Sequence, residues 1–77
     1  MQLSKLIKEN MRTGAEIQRA ARDLPDGYEI RITIEKHSGS VDLLHPDGKI
    51  TGCDNADGMS FAIGEAITVA ISEFEGE

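Results

Sequence analysis

Tyr28-Glu-Ile-Arg-Ile-Thr-Ile-Glu-Lys36 decides the fold of this chain. Tyr28, Ile30, Ile32 and Ile34 take alternate positions, and Glu29, Arg31, Thr33 and Glu35 fill those between. Successive side chains of a strand point to opposite faces, so this spacing predicts a strand with one buried and one wet face. One-sided patterning belongs to antiparallel sheets, because parallel sheets are covered on both sides. The flanking sequence must therefore supply partner strands and a layer to cover the isoleucines.

Downstream, Ser38-Gly39 is expected to reverse the chain. Val41 to His45 is a second strand, with Val41 and Leu43 inward and Asp42 and Leu44 outward. Pro46-Asp47-Gly48 turns again, as Pro25-Asp26-Gly27 does before the first strand. Lys49 to Cys53 forms a short third strand. Such short connections make all three strands antiparallel neighbours. Asp54 to Gly58 is a polar loop in which Asn55 or Asp57 caps the following helix.

That helix runs from about Met59 to Phe74. Its apolar residues span an arc of roughly 200°, about twice what a one-sided surface helix needs. The remaining face holds Phe61, Gly64, Glu65, Thr68 and Ser72, with one charge. Phe61 either tucks against the 53–57 loop or anchors a contact surface, since aromatic residues flanked by small ones suit interfaces. Upstream, Leu3, Leu6, Ile7, Asn10, Gly14, Ile17, Ala21 and Leu24 share one face of a helix over residues 3–24. Thr13-x-x-Glu16 fits a capping box, but the stripe keeps its phase through Gly14 and one helix is preferred. Gly14 on that stripe implies that another backbone passes close by. The five basic residues lie opposite, and Lys5, Arg12 and Arg19 pair at i,i+3 and i,i+4 with Glu9, Glu16 and Asp23 as a solvated face.

The expected fold is an α+β, two-layer α-β-β-β-α sandwich over residues 1–77. Its three-stranded antiparallel sheet carries both helices on one face. This element order resembles that of the double-stranded RNA-binding domain. Such domains grip phosphates with a lysine-rich start to the second helix. Here that position reads Asp54-Asn-Ala-Asp-Gly-Met-Ser60, with two aspartates in place of positive charge. The resemblance implies the architecture, and the charge argues against direct nucleic-acid binding.

Charge is unevenly distributed. Residues 1–23 carry five Lys or Arg against three acidic residues. Residues 37–77 carry Lys49 against Asp42, Asp47, Asp54, Asp57, Glu65, Glu73, Glu75 and Glu77. The whole chain has a net charge of −6. An acidic half of this kind suits basic protein surfaces.

No motif carries catalytic chemistry. A domain of this size has little room for the apolar pocket that separates carboxylate pKa values. In an EF-hand frame Glu65 falls one residue late, so the 54–58 segment reads as a cap and not as a calcium loop. Gly52 and Gly58 are misplaced for a phosphate loop, where Met59 stands in place of lysine. His37, His45, Asp42 and Cys53 lack metal-ligand spacing. Both histidines lie in or beside turns and are expected to be solvated. Cys53 reads as a small buried residue, with Asp54 disfavouring its thiolate. No metal or cofactor is expected. Charges near Met1 interrupt any signal-like apolar run, and no stretch reaches the ~20 apolar residues of a membrane span, so a cytoplasmic location is expected.

The sequence therefore points to a protein that works by binding. In size, acidity and compactness it resembles the small inhibitors encoded by phages and mobile elements, among them anti-CRISPR proteins and DNA mimics. That resemblance implies a partner with a basic surface, such as a nucleic-acid-binding complex. Asp42, Asp47, Asp54, Asp57, Glu73 and Glu75 are the candidate charged contacts, and Phe61 the apolar anchor. The alternative is a homodimeric accessory module, joined through the second helix or an exposed edge of the first strand.

Overall fold

A computed structural model describes residues 3–53 and 56–76, with side chains from Met11 onward within those ranges. The elements are α1 (Leu3–Asp23), β1 (Glu29–Glu35), β2 (Ser38–Leu44), β3 (Ile50–Cys53) and α2 (Met59–Gly76). The sheet is antiparallel with strand order β1-β2-β3. The protein is thus an α+β sandwich in the order α-β-β-β-α.

Register explains the core. Ile30 pairs with Leu43 and Ile32 with Val41, while Val41 pairs with Cys53 and Leu43 with Thr51. These residues share the face on which α2 lies. Val41 and Leu43 are fully buried there, against Ala62, Ile63, Ala66, Ile67 and Ala70 of α2. The alanines let the helix backbone approach β2 and β3 closely, and the isoleucines fill the space between. Cys53 is buried in the same cluster. Its thiol pKa is pushed up by burial first, then by the charges of Glu65 and Asp42.

α2 forms the main helix–sheet contact, and α1 packs chiefly along α2. This arrangement rotates α1 away from the expected stripe. Ala20 and Leu24 pack against the core, whereas Gly14 and Ala21 are exposed and Ile17 is 48% exposed. The helix runs unbroken through Gly14, as preferred. The close backbone expected there is not found, because a Cβ added at Gly14 would meet nothing within 4 Å. The close approach occurs at Gly64 of α2, where an added Cβ would lie 2.8 Å from Glu16 Oε2. Among the described side chains, α1 meets the small-residue surface of α2 through Leu24 at the end of its stripe and Ala20 beside it, while Gly14, Ile17 and Ala21 of the stripe stay exposed. The side chains of Leu3, Leu6, Ile7 and Asn10, and the expected Lys5–Glu9 and Glu9–Arg12 pairs, lie outside the described residues.

Three local expectations are also corrected. The reversal after β1 occurs at Lys36-His37, and Ser38 and Gly39 belong to β2, paired with Glu35 and Ile34. His37 adopts the left-handed conformation (φ 69°) that glycine would favour. Gly39 lies inside the strand instead, with Met59 Cε packed over it 3.1 Å from where its Cβ would stand. At the start of α2, Gly58 takes the cap position: its carbonyl accepts from Ala62 N–H at 3.2 Å, and its φ is 109°. Asp57 sits one residue further out, and Asn55 lies outside the described residues. His45 is buried, not solvated. The Pro-Asp-Gly turns form as expected, with Gly27 and Gly48 at positive φ.

Candidate partner-binding surface

α1 and α2 leave between them an open cleft of about 720 Å³. Its α1 wall is built from Arg12, Ala15, Glu16 and Arg19, spaced three and four apart and so aligned on one helical face. Its α2 wall is built from Phe61, Gly64, Glu65 and Thr68, with Asp57 at the rim. Arg12 and Arg19 therefore face the second helix and are not part of a purely solvated stripe. Glu16 lies over Gly64 and holds Arg19 Nη1 at 3.5 Å. The Thr68 hydroxyl donates to the Gly64 carbonyl at 3.0 Å. Small residues on α2 thus admit the polar side chains of α1, and the cleft stays open beside them.

Phe61 is 57% exposed on this wall. Its ring is not part of the buried core, and Asp57 of the preceding loop lines the cleft beside it. Among the described residues of α2 and its approach, every charged side chain is acidic. The α2 wall therefore offers an aromatic ring between Asp57 and Glu65, and the α1 wall offers cations already drawn toward carboxylates.

The remaining candidate contacts are dispersed. Asp42 lies on the outer face of β2, opposite Arg31 and Gly52, away from the helices. Asp47 accepts from the Lys49 backbone N–H at 2.9 Å and so shapes its own turn. Glu75 is exposed near the end of α2. Asp54 lies outside the described residues. Of the residues singled out, Asp57 and Phe61 are brought together in the cleft.

Glu73 is occupied elsewhere. Its Oε1 accepts from the Tyr28 hydroxyl at 2.7 Å and lies 2.6 Å from His45 Nδ1, and its Oε2 is 3.5 Å from Lys49 Nζ. An ionised carboxylate only accepts, so Nδ1 carries the proton. His45 Nε2 is 2.8 Å from Thr51 Oγ1. The Tyr28 and His45 rings pack at 5.5 Å between centroids. These hydrogen bonds hold the Glu73 carboxyl down to about 2, the Tyr28 bond contributing most. The hydroxyl–imidazole–carboxylate order is that of a nucleophile relay. Here the imidazole side chain is only 2% exposed, and none of the chain's members lines the cleft. The arrangement ties the end of α2 to β2, β3 and the start of β1. Nothing local announces it, since Tyr28 and Glu73 are 45 residues apart.

Among the described residues, no group of three or more His, Cys, Asp and Glu side chains is placed to hold a metal ion. No described helix is long and apolar enough to cross a membrane. Comparison of the chain with protein-family models, curated proteins and solved structures gives no match.

Proposed function

We propose that this chain is a small acidic interaction module that inhibits by occupying a basic, nucleic-acid-binding surface of another protein. One observation carries the reading: Phe61 stands largely exposed on the wall of an open cleft, flanked by Asp57 and Glu65. An exposed aromatic ring gains most by entering an apolar pocket, and carboxylates beside it suit Lys and Arg around that pocket. The net charge of −6 extends the same attraction to longer range. Carboxylates so placed compete with phosphates for the partner's cations. The mechanism is occupancy, with no bond made or broken.

The test is capture from host lysate with the tagged wild-type chain, with Asp54→Lys/Asp57→Lys and with Phe61→Ala. Recovery of a nucleic-acid-binding protein that is lost at high salt, and lost with both variants, supports the reading. Recovery that is equal for all three chains overturns it.

A further inference from the structure

The sheet is open, and β1 is one of its edges. Its main contact is with β2. β3, the other edge, has four residues, whereas β1 has seven, paired with β2 without a bulge and free of proline. Long regular edges are the ones that accept another strand.

The direction of the unpaired backbone groups follows from one hydrogen bond. His45 N–H donates to the Lys49 carbonyl at 2.8 Å, continuing the β2–β3 ladder. Alternation then turns Val41 and Leu43 toward β3, and Ser40, Asp42 and Leu44 toward β1. Through the observed register, Glu29, Arg31, Thr33 and Glu35 bond to β2. The N–H and C=O groups of Ile30, Ile32 and Ile34 therefore face the open edge. On the helix-bearing face, the same strand leaves Ile32 38% and Ile34 78% exposed.

We infer that β1 pairs antiparallel with β1 of a second copy of this chain, about a twofold axis at Thr33, to give a continuous six-stranded sheet. Among the registers that overlap five or more residues of β1, charge selects this one. With the axis at Ile32, Glu29 would oppose Glu35 of the other copy at both ends. With the axis at Arg31, two guanidinium groups would meet. With the axis at Thr33, Arg31 of each copy stands opposite Glu35 of the other, and Ile32 opposite Ile34. The Ile32–Ile34 pairs use the outward-facing backbone groups. The Arg31–Glu35 pairs fall at the closer, non-hydrogen-bonded positions, where cross-strand side chains interact best. Arg31 already holds Glu29 through Nε at 3.3 Å, which leaves the rest of its fork to reach a second carboxylate. This interface is separate from the α1–α2 cleft, and it stands whether or not the inhibitory reading does.

The experiment is light scattering and sedimentation over a roughly hundredfold concentration range. The wild type should reach twice its 8.4 kDa chain mass. Arg31→Glu and Glu35→Arg should each weaken the dimer by about tenfold, since each places like charges opposite twice. The double swap should recover wild-type association. Both side chains are exposed, so circular dichroism should be unchanged. Thr33→Cys should form a disulfide-linked dimer under mild oxidation, because residue 33 meets itself at the axis. A wild-type monomer throughout, or a dimer indifferent to the single reversals, overturns the proposal. Tighter association of Glu35→Arg would place the axis at Ile32 and overturn the Thr33 register.

Discussion

His45 Nδ1 and Glu73 Oε1 lie 2.6 Å apart and join the end of α2 to the sheet. The imidazole is buried, yet both ring nitrogens have partners, so its burial leaves no polar atom unsatisfied. Replacing the ring removes packed volume and strands the Tyr28–Glu73 pair beside a cavity. His45→Ala is expected to cost about 3 kcal/mol. Urea unfolding of the variant against wild type measures it, and a loss under about 0.5 kcal/mol would mean the tie is incidental.

The same contact predicts acid lability. The Tyr28 hydroxyl first, and His45 second, hold the Glu73 carboxyl at about 2, below its ordinary 4.5. The folded state thus favours the ionised form, and the unfolded chain binds more protons in this window. The stability this provides is complete above about pH 4.5 and is lost as pH falls toward 2. Glu73→Gln removes the titration, so its stability should fall less steeply than wild type across that window. Parallel profiles from denaturant titrations at each pH would contradict the assignment.

The β1 alternation and the two Pro-Asp-Gly turns carried the sheet, because period-two patterning and positive-φ glycine act within a few residues. The helices were legible for the same reason. What was not legible depends on neighbours distant in sequence. His45 reads as a turn histidine until Glu73 arrives from α2. Gly39 reads as a turn glycine until Met59 packs over it. The α1 stripe reads as a core face, but α1 meets the small-residue surface of α2, so Leu24 of the stripe and Ala20 beside it pack against the core while Ile17 stays exposed. Phe61 was legible as a candidate because helix position alone placed it off the buried face. Its company of Arg12, Glu16 and Arg19 was not, since their i,i+3 and i,i+4 pairing fits a solvated face equally well.

Gly14 and Gly27 should respond oppositely to alanine. Gly14 is exposed inside α1 with open space at its Cβ position, so Gly14→Ala should stabilise by about 1 kcal/mol through helix propensity. Gly27 has φ 90°, and an added Cβ would lie 2.9 Å from Pro46 Cγ. Gly27→Ala should destabilise by at least about 1 kcal/mol. Thermal melts of the two variants decide the matter, and the same sign for both would refute the backbone assignment.

Phe61 and Ile63 stand two residues apart on α2 and should separate binding from folding. Ile63 is 1% exposed and packs against β2 and β3 through the core, so Ile63→Ala should cost about 3 kcal/mol. Phe61 is 57% exposed, so folding withdraws less than half of its surface from water. Phe61→Ala should therefore cost no more than about 1.5 kcal/mol, well below Ile63→Ala, while abolishing partner capture. Denaturant unfolding run beside the capture assay reads both quantities. If Phe61→Ala unfolds as readily as Ile63→Ala, the ring belongs to the core and cannot serve as the anchor. If it folds and still captures the partner, contact is made elsewhere, and the dispersed carboxylates Asp42 and Glu75 become the residues to reverse.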